Sequence, residues 1–220
     1  MPSGTGADGP SGTDDLPQLI ARLWLVNDLT TYVADLREEI RALEDEITAY
    51  HREIVPRWSG RQRGESVETL YAYVARCFSL VDRYSLFRWP KKAQTLRMIQ
   101  FLLDYVRVPS REAAQVAVAI WCHSLVHAGR PQPVHAKLGN IDYVWLLHWA
   151  EKIGGIDKHF IISAGATGSK KLDFALMYFL PDLKRAIHTY LDELENSVER
   201  RKQLGAALKK MTDEATIRDL

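Results

Sequence analysis

A mostly α-helical fold with long first and last helices and a small β insertion is what this sequence predicts, and three observations predict it. Apolar residues recur in a strict heptad over 19–54, with Leu19, Val26, Val33, Ile40, Ile47 and Ile54 at one core position and Leu29, Leu36, Leu43 and Tyr50 at the other. Four later segments repeat at about 3.6 residues, the period of an amphipathic helix. Between 141 and 176 the period falls to two, as in Ile141, Tyr143, Trp145, Leu147 and Trp149.

Each element has a local reason. Residues 1–15, MPSGTGADGPSGTDD, hold almost nothing to bury and read as a disordered tail. Residues 16–56 form the long heptad-patterned helix, of coiled-coil character and broken only by Arg22, whose seam from 19 to 54 extends about 54 Å at ~1.5 Å per residue. Pro56 ends it, because proline lacks the amide and clashes with the preceding turn. Its narrow seam needs a partner: the C-terminal helix of the same chain, or a second copy. After the connector RWSGRQRGES, Ser66 caps a second helix with Val67, Leu70, Tyr71, Val74, Phe78 and Val81 on its apolar face. A third helix carries Leu96, Ile99, Leu102, Leu103 and Val106. Ser110 caps a fourth, with Glu112 in its first turn and Ala113, Val116, Ala117, Ile120, Trp121 and Leu125 facing inward. HFIISA and KLDFAL read as antiparallel strands around a tight turn at GATGSK, although VWLLHW and FALMYF also suit buried helical turns. Pro181 fits the first turn of a last helix bearing Leu183, Ile187, Leu191, Leu194 and Val198, and 199–220 is a polar helical extension.

Composition bounds the function classes. The chain has 220 residues, enough for one core with terminal extensions, and 29 Lys plus Arg against 28 Asp plus Glu, so no global field advertises a nucleic acid or an acidic membrane. The two cysteines, Cys77 and Cys122, sit in apolar helical patterns rather than a disulfide framework. With no signal-type or membrane-spanning apolar run, the expected location is cytoplasmic.

Chemistry-bearing residues concentrate in WCHSLVHAGRPQPVH, 121–135, where the fourth helix meets Gly129 and Pro131. His123 and His127 share a helix face at zinc-ligand spacing, but no glutamate stands between them to act as a base, and Cys122, His135, His148 and His159 complete a metal site only if the fold gathers them; no metal is expected. GATGSKK lacks the spacing of a phosphate loop, and Ser124 lacks a glycine-flanked nucleophile elbow. A plainer reading stays open, in which His127 and Gly129 end the helix, Trp121 and Cys122 fill the core, His123 faces solvent and Arg130 meets a nearby carboxylate. Tyr143, Trp145 and Trp149 are either core or a base-stacking surface.

The order of helices from YAYVARCFSLVDRYSLFRW through TLRMIQFLLDYV to IWCHSLVHAGRP resembles the helical HEPN superfamily over roughly residues 66–195, many of whose members are metal-independent ribonucleases of defence and toxin systems. The family's signature is an Arg followed four to six residues later by a His at the end of a core helix, with two copies meeting across a homodimer cleft. His127 matches the histidine. Cys122 stands where the arginine is expected, and Arg130 with His135 reproduces the spacing in a proline-containing segment. The resemblance implies a helical bundle at 66–198, a homodimer, and action on RNA without cofactor. His127 would be the acid/base and Arg130 the phosphate-binding residue; His123, His135, Arg76 and Arg83 are RNA-binding candidates, and Arg97 is a further source of a guanidinium. It equally implies an inactive dimerisation or partner-binding module for a nucleotidyltransferase-type antitoxin or another defence partner. RNA carries its own nucleophile in the 2′-hydroxyl, so a near-neutral base and a cation for the phosphate suffice.

Overall fold

The computed structural model of the protein describes residues 29–57, 63–121, 134–149, 158–165 and 168–215. The expected tail at 1–15 and the start of the heptad helix lie outside these residues. The fold is mostly helical, with one four-stranded sheet.

Helix α1, Leu29–Glu53, buries the heptad residues Val33, Leu36, Ile40, Leu43 and Ile47. It ends three residues before Pro56, which sits in a single 3-10 turn, Val55–Arg57. Helix α2, Arg63–Arg88, starts upstream of Ser66, so Ser66 lies within the helix instead of capping it; Gly64 in the first turn does not stop the chain from coiling there. Its inward residues are Leu70, Val74, Cys77, Phe78, Val81, Tyr84 and Phe87.

Helix α3, Gln94–Phe101, continues as a π-helical turn, Leu102–Val106, that ends where Arg107 takes the left-handed conformation at φ 65°. Leu96, expected in the core, is 60% exposed, while Arg97 is buried. The inward place goes to the guanidinium because it meets Asp82 of α2 at 2.6 Å, a pairing that hydrophobic periodicity does not reveal. Helix α4, Arg111–Ile120, starts as expected. Ser110 is extended and its Oγ accepts the Ala113 amide hydrogen at 3.1 Å.

The sheet begins before position 141. Strand β1, Val134–Leu138, turns at Gly139 and Asn140, with Gly139 at φ +63°, into β2, Ile141–His148. Strand β3, Phe160–Ala164, and strand β4, Lys170–Ala175, pair antiparallel across the GATGSK turn. There the Gly165 amide donates to the Ser169 carbonyl at 2.8 Å, and Gly168 takes φ +79°. The strand order is β1-β2-β4-β3, and β2 pairs with β4 in parallel, so the sheet is mixed where all-antiparallel pairing was expected. Alternation sets which residues share a face but is identical for both strand directions. VWLLHW is thus mainly strand, and FALMYF crosses from β4 directly into helix α5, Leu176–Asn196.

Pro181 therefore lies inside α5, beyond its first turn. Its missing amide removes one helical hydrogen bond, and burial of Leu176, Phe179, Leu180 and Leu183 on either side offsets that loss. The single last helix expected from the apolar repeat is two. Ser197, extended at φ −130° and ψ 119°, ends α5, and its Oγ accepts the Arg200 amide hydrogen at 3.3 Å at the start of helix α6, Val198–Ala215. Val198, expected on the apolar stripe, is consequently exposed.

The seam of α1 is filled by α5 of the same chain. Arg37 donates to Asp192 at 2.7 Å and Glu195 at 2.9 Å, and Lys184 donates to Glu44 at 2.5 Å, fixing the two helices antiparallel. Aromatic rings join this bundle to the sheet: Phe78 of α2 lies 6.0 Å from Trp145 of β2 and 6.3 Å from Phe174 of β4, and also 5.7 Å from Phe179 of α5. Among the described residues no helix is long and apolar enough to cross a membrane.

Candidate functional site

Helix α4 delivers the histidine-rich segment. Its C-cap residue Trp121 is 5% exposed and stacks on Phe78 at 6.4 Å, so the chain leaves the helix from a point fixed in the core. Cys122, His123, His127 and Arg130 lie outside the described residues. His135 falls in β1, in register with Val144 of β2.

The RNA-binding candidates Arg76 and Arg83 lie on α2, facing α1. Arg76 donates to Glu46 at 2.7 Å, and Arg83 donates to Glu39 in a short charge-assisted bond. The guanidinium of Arg76 holds the Glu46 carboxyl below its usual range. With Leu43, Ser79 and Leu80 these residues line a shallow groove of about 300 Å³. A phosphate entering here must displace a carboxylate from each cation. Arg97 is more firmly committed, since its side chain is only 8% exposed and its partner is Asp82.

Two polar clusters on the sheet had no counterpart in the motif reading. In the first, Glu112 of α4 accepts from the Tyr143 hydroxyl and from Lys170 at 2.6 Å. Lys170 and Tyr143 hold the Glu112 carboxyl below its usual range, while burial, followed by Glu112 itself, pushes the Tyr143 phenol up to about 12. In the second, Asp173 of β4 is 6% exposed. His148 Nε2 of β2 lies 2.9 Å from its Oδ1, and Lys171 Nζ lies 3.0 Å from its Oδ2. A carboxylate so placed fixes the orientation of an imidazole, an arrangement suited to proton transfer. The sequence sign of this cluster is a lone acid between Leu172 and Phe174 in an apolar strand. Its partner follows from the parallel register, which sets Leu146 opposite Asp173 and His148 opposite Ala175.

The remaining candidates separate. Tyr143 and Trp145 are buried, and Trp149 stacks on Tyr50 at 5.7 Å, so these aromatic residues belong to the core and its margin. His159 is buried with its Nδ1 2.9 Å from Asp182 Oδ2 and shares no carboxylate with His148. Among the described residues no three His, Cys, Asp or Glu side chains gather as a metal site. No protein-family model matches the chain, and no curated protein or solved structure matches it.

Proposed function

We propose that this is a HEPN-like protein acting on RNA in the cytoplasm, as a metal-independent ribonuclease of a defence or toxin–antitoxin system. The observation that carries the reading is the anchoring of α4. The family's histidine follows the end of a core helix, and here that helix closes on Trp121, buried against Phe78, immediately before CHSLVH. In this reading His127 takes the proton of the RNA 2′-hydroxyl and returns one to the leaving oxygen, while Arg130 holds the phosphate as its charge grows. Two copies of the chain form the cleft.

The test is cleavage of total RNA by the purified chain in excess chelator, compared with His127→Ala and Arg130→Ala. Loss of cleavage in both variants is expected. Equal cleavage by all three proteins overturns the assignment, and activity that disappears with chelator and returns with zinc replaces it by a metal mechanism.

A second reading is favoured by the pairing of Arg76, Arg83 and Arg97 with carboxylates, together with Cys122 at the expected arginine position. In it the chain is a catalytically inactive module that dimerises or binds a nucleotidyltransferase-type antitoxin. Absence of any chelator-resistant cleavage by the unmodified chain, with a stable complex on addition of such a partner, is its signature.

A further inference from the structure

Arg76 and Arg83, two of the cations expected to meet RNA, are neutralised by glutamates. The turn that joins α2 to α3 holds cations that are not. Arg88 donates to the Tyr105 hydroxyl at 3.0 Å and to the Gln203 side chain at 3.3 Å, both uncharged, and Lys91 and Lys92 are exposed. Among the described residues none of the three lies within ion-pair distance of a carboxylate. Acids on the adjoining helices are committed elsewhere: Asp82 accepts from Gln94 and Arg97, and Glu193 is paired with Arg200. A chain whose net charge is only +1 therefore concentrates unneutralised positive charge at this turn.

These cations gather about an indole. Pro90 suits the second position of a tight turn, which the Lys92 amide closes by donating to the Trp89 carbonyl at 3.1 Å. The Lys92 ammonium lies 5.0 Å from the centre of the Trp89 ring, and the Arg88 guanidinium lies 4.8 Å from it. Tyr105 meets the same ring edge-on at 6.2 Å, so the half-buried indole is held in place. Arg88 is tied down by its two hydrogen bonds, whereas Lys92 reaches the ring on a flexible stem from an exposed position. An exposed cation–π contact is weaker than a base stacked on an aromatic side chain, so a base can take the place of Lys92 while the ammonium moves to a phosphate.

We propose that the turn at 88–92 is a docking site for single-stranded nucleic acid, with a base stacked on Trp89 and the flanking phosphates held by Arg88, Lys91 and Lys92. A single strand offers a free base face beside each phosphate, whereas a duplex keeps its bases stacked inside and offers this turn only charge. An anionic membrane draws on inserted apolar area as well as charge, and Leu96 is the one exposed large apolar side chain among the described residues of α3 and this turn. Binding is read without cleavage, so the site stands or falls separately from the ribonuclease reading.

The experiment follows the fluorescence anisotropy of a short labelled 2′-O-methyl RNA strand, which lacks the nucleophile for cleavage, titrated with the full-length chain at several salt concentrations. Its annealed duplex and vesicles containing phosphatidylserine are titrated alongside. The single strand should bind several-fold more tightly than the duplex. Lys91→Gln combined with Lys92→Gln should lower the slope of log K against log salt by about 1.4, the share of two single-strand phosphate contacts at about 0.7 each. Trp89→Ala should weaken binding roughly tenfold, and Trp89→Phe much less. Should Trp89→Ala fail to fold, the paired lysine variant, altered only at exposed side chains, carries the test. No binding of the strand, equal affinity for the duplex, an unchanged salt slope in the lysine variant or unchanged affinity in folded Trp89→Ala overturns the proposal. So does binding of the vesicles in place of the strand, which would assign the turn to a membrane surface.

Discussion

Along α1, the seam residues from Val33 to Ile47 are buried within the chain, and Arg37, Arg76 and Arg83 around that helix are each held by a carboxylate. Along β3, Ile161 and Ile162 are half-buried and the strand stands at the edge of the sheet, paired on one side only among the described residues. Both segments are apolar stretches that look unpartnered when read alone. A helix satisfies its own backbone and needs only its side chains covered, which a neighbouring helix does. A strand needs both flanks, and a short sheet always leaves two strands with one each. The heptad of α1 is accounted for by a helix of the same chain, whereas the outer flank of β3 has no neighbouring strand among the described residues.

Substitutions should separate the two regions, with the heaviest loss in the seam. Ile47→Ala removes a fully buried seam residue and should cost about 3 kcal/mol in urea unfolding, while Ile162→Ala at the sheet edge should cost less than about 1 kcal/mol; equal losses would mean that the edge is as deeply integrated as the seam. Asp82→Ala strands the buried guanidinium of Arg97 and should cost nearly as much, about 3 kcal/mol, with most of it regained when Arg97→Leu is added. Ser110→Ala, which removes the cap of α4, should cost about 1 kcal/mol by the same measurement. Arg76→Gln breaks an ion pair about half exposed on both sides and should cost at most about 0.5 kcal/mol, less at high salt.

The smallest change expected is in pH dependence. Burial favours the neutral ring of His159, against the opposing pull of Asp182 and with the help of Arg185, so the folded chain binds that proton less readily than the unfolded one. The stabilisation is present above about pH 6.5 and is lost as pH falls through the depressed folded value. His159→Gln should flatten the acid side of a melting-temperature profile, and an unchanged profile would assign the acid dependence to other groups.

What the sequence made legible follows from the kind of interaction involved. The seam of α1, the Ser110 cap and the turn between β3 and β4 depend on neighbours within a few residues or on a sustained period, and both can be read directly. The parallel pairing of β2 with β4, the inward turn of Arg97 in place of Leu96 and the His148–Asp173 contact depend on partners brought together by topology. Pro181, expected in a first helical turn, and Val198, expected on the apolar stripe, fall elsewhere for a related reason. The apolar stripe of Leu183, Ile187, Leu191 and Leu194 continues past the proline upstream, and nothing in it signals that Ser197 will both end one helix and cap the next. Of the candidate site, the seven-residue spacing of Arg76 and Arg83 is plain in the sequence, but their Glu46 and Glu39 partners sit about thirty and forty-four positions away, beyond the reach of local pattern.

Ala175 closes β4 and Leu176 opens α5 with no residue between them. Helical phase is thereby locked to strand register: one added residue at this junction would rotate the whole α5 stripe by about 100° and turn its leucines away from α1. Length variation at this splice costs far more than at a loop, so the sheet is coupled mechanically to the helix that closes the core.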